Sequence, residues 1–433
     1  MTRPFRFSYG LLVEDGLKRR KFLAAASLLS FLGADAWAAK KPAAKPAGKA
    51  TKGAASKKAA GRPGKPGKRQ PPPRERGPVA HTAEDPVTEK PPVGSSASRL
   101  PPVKAPEPPL DWRTYEITTS VSLKKSTGPL RLWLPLPLNQ DTLYQRTLGH
   151  SWNDNADTAG MRRLPDGNLE VYFCEWKGGT EPQIQLTTTV TTSDRHFDIT
   201  KRTVAPERED ILRQNLQASR LIPNDEEAHN LGERIIGRIK DPVAQAKAVY
   251  DWVIDNTLYF PELPGVGSGD VRKQLEQRQY GGKSADINGL FVAICRGIGI
   301  PARCVYGLRV GPSRLFRSLG LSDDKATVAQ HVRAEFYIPG YGWIPVDPSD
   351  VRRVIAVEGV SERDSKLSAL RRVLFGVWEM NWIAYNFGTD VPLPASQNSV
   401  PFLILPHLEG SDGLVDGNNR TALPYTITAR RIN

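Results

Sequence analysis

The sequence predicts an α+β protein, and three observations carry that expectation. Short alternating apolar runs fill residues 109–200, helical periodicity takes over near residue 207, and a long apolar helix after residue 284 precedes an antiparallel hairpin. At 433 residues the chain has room for two or three compact units. The expected division is a leader at 1–38, a linker at 39–108, a β-rich module at 109–200 and an α+β core at 201–355. A C-terminal helix and strands (356–433) are expected to pack on that core.

The leader reads as an export signal. Lys18-Arg19-Arg20-Lys21-Phe22-Leu23 resembles a twin-arginine motif, an apolar run follows, and Ala36-Trp37-Ala38 supplies a small-x-small cleavage pattern. The run is about a dozen residues, short of the roughly 20 that span a bilayer as a helix. No other stretch is apolar enough to span. The mature chain is therefore expected to begin near Ala39, in the periplasm or an equivalent exported space.

The net charge of +14 suggests nucleic-acid binding until it is mapped. Residues 40–76 hold nine Lys, four Arg and one Glu, so the sequence from residue 77 onward is close to neutral. The charge belongs to a Lys/Pro/Ala-rich tail that is too poor in bulky apolar residues to offset the entropy of ordering. A solvated spacer is one reading of residues 40–76, and attraction to an anionic envelope surface is another. Nucleic acid is not an expected partner.

Strands are expected at residues 112–121, 130–134, 169–176 and 183–192, where apolar side chains alternate and Asp166-Gly167 and Gly178-Gly179 mark turns. Their spacing suggests a β-sandwich-like module. In the next region Ala228, Leu231, Ile235 and Ile239 recur at helical spacing. Asp241-Pro242 then starts a helix as N-cap and first residue, with Ala246, Val249, Tyr250 and Val253 on its buried face.

Tyr280-Gly281-Gly282-Lys283-Ser284-Ala285-Asp286 forms a glycine turn that opens a helix, with Ile287, Leu290, Phe291, Ile294 and Ile298 on one face. Ser284 falls at the helix mouth, where free N–H groups and the positive dipole end suit an oxyanion-forming nucleophile. A serine there also serves as an ordinary helix cap. Residues 331–338 alternate, with Val332, Ala334, Phe336 and Ile338 on one face and His331, Arg333, Glu335 and Tyr337 on the other. Matching these apolar residues to Ile344 and Val346 sets Asp347 opposite His331 or Arg333, within reach of the imidazole.

The order GGKxADxNxLF, GIPAR, a histidine strand and GWxPVDP resembles the transglutaminase-like superfamily over roughly residues 205–350. That resemblance implies a papain-like core with a Cys-His-Asp triad for acyl transfer or amide hydrolysis. It maps the general base to His331, the orienter to Asp347 and the nucleophile position to Ser284. Gln279 and Tyr280 are candidates for an oxyanion contact; Trp343, Trp378, Trp382 and Tyr385 are candidates for a cleft wall, with core packing the commoner role for such an aromatic cluster. Cys295 cannot replace the nucleophile, since eleven residues of helix place it about 16 Å away along the axis. Cys304 lies on a later strand. A hydroxyl cannot be pre-ionised as a thiol can.

Three readings stay open: an impaired protein that binds peptide or cell-envelope ligands, an active serine amidase, peptidase or acyltransferase, and a tethering protein with a vestigial cleft. With three cysteines, no zinc-ligand spacing and no nucleotide fingerprint, no cofactor or metal is expected. Beyond the core, a helix is expected at residues 367–386 and strands at 401–406 and 425–430.

Overall fold

Alternation of apolar and polar residues sets the N-terminal strands. They are β1 (Arg113–Ser122), β2 (Leu130–Pro135), β3 (Gln145–Asp154), β4 (Thr158–Arg163), β5 (Glu170–Trp176) and β6 (Gln183–Thr192). The computed structural model describes residues 111–198 and 202–433. The expected export signal at 1–38, the linker at 39–108 and the anionic-surface segment at 40–76 within it therefore lie outside the described residues. In β6 the alternation is complete, with Ile184, Leu186, Thr188 and Val190 buried. Strands β3 and β4 were not anticipated from sequence. They are largely exposed and lie at sheet edges, so no apolar face announces them.

The short β7 (Arg195–His196) leads to the helices α1 (Glu209–Gln214), α2 (Glu226–Ile236) and α3 (Pro242–Asn256). Asp241 caps α3 by accepting from the Ala244 N–H at 2.8 Å, and Pro242 occupies the first turn. Next come β8 (Leu258–Tyr259), α4 (Val271–Gln277), β9 (Gly281–Gly282) and α5 (Ser284–Gly297). Helix α5 is buried on all sides from Ser284 to Arg296, more than the single apolar face expected. It is enclosed by α2, α3 and the sheet of β10 (Ala302–Arg309), β11 (Gln330–Ile338) and β12 (Gly342–Val346). The hairpin register pairs Ala334 with Val346 and Phe336 with Ile344, one of the two registers that the apolar pattern allows.

After α6 (Pro348–Glu358) the expected helix at 367–386 divides. Helix α7 (Ser365–Val373) stops before Gly376, whose φ of +116° a helix cannot hold. The rest forms β13 (Val377–Trp378) and β14 (Trp382–Asn386), and β14 joins the central sheet in the order β12-β11-β10-β14. Residues 401–406, bounded by Pro401 and Pro406, form no strand. Their neighbours do, as β15 (Val391–Pro392), β16 (Ser399–Val400), β17 (His407–Gly410), β18 (Gly413–Asp416) and β19 (Tyr425–Arg431).

The C-terminal strands do not all pack on the helical core. Strand β19 pairs with β1 and β17 with β2, completing the sheets β19-β1-β6-β3 and β18-β17-β2-β5-β4. Ile117, Leu132, Tyr172, Leu186 and Ile427 fill the space between these sheets as a sandwich core. Leu308 and Ile383 of the central sheet join the same cluster, so the β module and the helical core share apolar packing. Among the described residues no helix is long and apolar enough to cross a membrane.

Candidate active site

Ser284 is the first residue of α5, and a carboxylate two residues along shapes the approach to it. Asp286 accepts from the Lys283 N–H at 2.8 Å, the Gly269 N–H at 2.8 Å and the Ser268 hydroxyl at 3.0 Å. Burial raises the pKa of Asp286 against those three bonds. Gly282 has φ +133°, and a Cβ there would stand 2.3 Å from the Asp286 carboxylate, so the glycine turn is required by the cap.

Strand β12 ends at Val346, and β11 runs on past it. The Val332 backbone is taken up there by two α5 side chains one turn apart. Ser284 Oγ accepts from the Val332 N–H at 3.1 Å, and Asn288 Nδ2 donates to the Val332 carbonyl at 2.6 Å. Asn288 Nδ2 also reaches Asp347 Oδ1 at 3.2 Å and Ser349 Oγ at 3.0 Å. Helix, histidine strand and aspartate are thereby tied together.

His331 Nε2 lies 2.7 Å from Asp347 Oδ2. Because the carboxylate only accepts, Nε2 carries the hydrogen and Nδ1 is left as the basic nitrogen. Asp347 is held further by the Ser349 hydroxyl at 2.7 Å and the Asp350 N–H at 3.2 Å, both on Oδ1. Burial drives the His331 pKa well below its ordinary value, and Arg309, Arg333 and Arg353 push the same way against Asp350. The imidazole is therefore a neutral base at neutral pH. Ser284 and His331 are each 2% exposed and Asp347 is fully buried; His331 and Asp347 are in contact, and Ser284 reaches β11 at Val332, the residue after His331.

The wall behind this site is aromatic and cationic. Trp382 Nε1 donates to the His331 carbonyl at 3.0 Å and Trp378 Nε1 to the Val346 carbonyl at 3.1 Å, pinning the strand ends that carry His331 and Asp347. Gly307 pairs with His331 across the ladder, where a Cβ would meet the Trp382 ring at 2.4 Å. Arg333 lies over the Trp382 ring at 4.7 Å, with its Nε 3.6 Å from Asp347 Oδ2. Asp350 sits 3.5 Å from His331 Nε2 and pairs with Arg309 at 2.6 Å. His331, Asp347 and Asp350 bring ligand atoms within 4.8 Å of one another, but the Arg309 and Arg333 guanidiniums already supply the cations there.

The remaining expected contacts fall elsewhere. Gln279 is exposed, and its N–H donates to the Gln274 carbonyl at 3.2 Å. Tyr280 stands edge-on to Trp252 at 5.3 Å. Neither is a hydrogen-bond partner of Ser284 among the described residues, because Gly281, Gly282 and Lys283 turn the chain in between. Trp343 shares its side of the hairpin with Asp347 but lies about 13 Å back along the strand. There it donates to Glu207 at 3.1 Å beneath Arg303. Trp378, Trp382 and Tyr385 are buried core rather than cleft surface.

Asn288 was missed by sequence reasoning, although its place one turn after Ser284 put it on the same helix face. Asp350 had a similar signal, three residues after Asp347. Arg309 had none, because only tertiary pairing brings it to Asp350.

An uncharacterized protein of Haemophilus influenzae is 30% identical over 303 residues, which make up 65% of this chain and 81% of that one. The family model of the transglutaminase-like superfamily matches residues 229–348, a span that contains Ser284, His331 and Asp347. The chain belongs to the transglutaminase-like superfamily. Solved structures similar to this transglutaminase-like chain include a Cytophaga hutchinsonii protein described as a candidate cysteine protease, at 18% identity and TM-score 0.42, covering 74% of this chain and 98% of that one. Another is the periplasmic domain of TgpA from Pseudomonas aeruginosa, at 16% identity and TM-score 0.29, covering 59% of this chain and 92% of that one.

Proposed function

We propose that this is an exported transglutaminase-like protein whose Ser284, His331 and Asp347 derive from a Cys-His-Asp acyl-transfer triad and are catalytically impaired. It holds peptide or cell-envelope ligands without turning them over. The observation that carries this reading is the state of Ser284, a residue 2% exposed whose Oγ already accepts the Val332 N–H. A serine nucleophile needs its proton removed as it attacks, in a site open to the substrate carbonyl. A buried hydroxyl whose oxygen already serves the backbone is not open to that carbonyl.

Export rests on the paired Arg19 and Arg20 and the apolar run that follows. Replacing both arginines with lysine is expected to leave precursor in the cytoplasm. Normal export of that variant would remove this part of the reading.

A working serine amidase or peptidase is the second reading, favoured by the 2.7 Å bond between His331 and Asp347 and by the neutral imidazole. Hydrolysis of cell-wall peptides separates the two. The parent protein should match Ser284→Ala, with no turnover in either. Peptide hydrolysis by the parent that Ser284→Ala abolishes would establish the second reading instead. The same peptides should raise the melting temperature of the parent.

A further inference from the structure

Away from Ser284, helices α2 and α3 and the turn before β9 enclose an open groove of about 620 Å³. That volume lies within the range of about 300–1,000 Å³ common to small-molecule sites. Leu231 and Ile235 from α2, Trp252 from α3 and Tyr280 from the turn give it an apolar floor. Arg234 and Arg278 flank that floor, both exposed and neither ion-paired with a carboxylate among the described residues. Asp255 also lines the groove, but Arg371 holds both of its oxygens, at 2.5 and 2.9 Å. Its charge is therefore spent outside the groove.

The Tyr280 hydroxyl stands in the field of both guanidiniums, which oppose the rise in pKa that burial causes, while nearby Glu227 adds to that rise. The phenol stays protonated at neutral pH and remains able to donate a hydrogen bond.

We propose that this groove binds the free C-terminal carboxylate of a peptide ending in an apolar residue. Charge complementarity selects the occupant. An inorganic anion would leave the Trp252 floor unused, and an uncharged apolar molecule would leave two guanidiniums unmatched. A terminal carboxylate satisfies both, with charge-assisted bonds to Arg234 and Arg278 and its last side chain against Trp252 and Leu231. The proposal does not rest on the reading of Ser284, because none of the groove residues touches the triad in the contacts described above.

The test is a titration of the full chain with N-acetyl-phenylalanine, N-acetyl-phenylalanine amide and inorganic phosphate. The readout is the indole N–H resonance that Trp252→Phe removes from the spectrum. The acid should shift this resonance saturably and bind at least about tenfold more tightly than the amide, as expected for loss of a charge-assisted bond. Phosphate should leave the resonance in place. The double variant Arg234→Ala/Arg278→Ala should keep its melting temperature and bind the acid about tenfold or more weakly. Equal binding of acid and amide would overturn the proposal, as would a double variant that binds like the parent. Phosphate that competes as well as the acid would mark a simple anion site and overturn it too.

Discussion

The two faces of β11 are built from alternate residues of one strand and are both buried, yet they are held by different physics. Val332, Ala334, Phe336 and Ile338 pack on the α5 side, where Phe336 meets Phe291 and Phe375 at ring separations of 5.9 and 5.6 Å. On the reverse, His331, Arg333 and Glu335 are at most 2% exposed. Glu335 pairs with Arg195 and Arg303, each at 2.6 Å. Burial alone would raise the Glu335 pKa, but the two guanidiniums outweigh it and hold the carboxyl below its usual range. Polar residues on a strand therefore do not mark a solvent-facing side. Here they mark a second interior, in which every charge depends on its partner.

The difference predicts opposite sensitivities to near-isosteric change. Glu335→Gln keeps the shape and removes the charge, and it should destabilise by about 3–5 kcal/mol, the usual cost of breaking a buried ion pair. Phe336→Leu loses shape and keeps apolarity, and should cost less, below about 1.5 kcal/mol if the site repacks. Urea midpoints at unchanged m-value measure both. A neutral Glu335→Gln would break the comparison, since the reverse face would then not rely on its charges.

Asn288→Ala sharpens it at the boundary between the faces. The substitution strips the Val332 carbonyl and Asp347 of their common donor, and a loss of about 1–3 kcal/mol is expected for leaving buried acceptors unsatisfied. The offset is that Asn288 Oδ1 itself has no hydrogen-bond partner, so its removal relieves one buried orphan. A gain in stability would mean that this relief outweighs the lost ties.

The last effect is a pH dependence. Folded His331 titrates well below its unfolded value of about 6.5, so between those two values the unfolded chain binds the extra proton. This contribution to stability is present above pH 6.5 and is lost as pH falls toward the folded pKa, by up to about 1.4 kcal/mol per pH unit. His331→Gln should flatten that part of the urea midpoint profile. An unchanged profile would place the acid sensitivity in other groups.

Much of this arrangement was legible in the sequence because it is periodic or capped. The α5 helix, the Asp241-Pro242 start and a choice of two hairpin registers followed from apolar spacing and cap residues, and both registers bring Asp347 near His331. The expected helix at 367–386 failed because Trp378 and Trp382 can be placed at helical spacing as readily as on strands, and only Gly376 broke the pattern. The cleft expectation for Trp343 failed because face does not give distance along a strand. The burial of the charged face was not legible either, since Arg195, Arg303 and Arg309 arrive from distant segments.

The central claim is that Ser284 Oγ serves as an acceptor for Val332 and not as a nucleophile. Treating the parent protein with a fluorophosphonate that esterifies activated serines, followed by intact-mass and peptide mapping, tests it most directly. The account predicts an unmodified Ser284 in protein that is fully folded and still binds peptide. A stoichiometric adduct on Ser284 that disappears in His331→Ala would contradict it and show that the closed site opens and works.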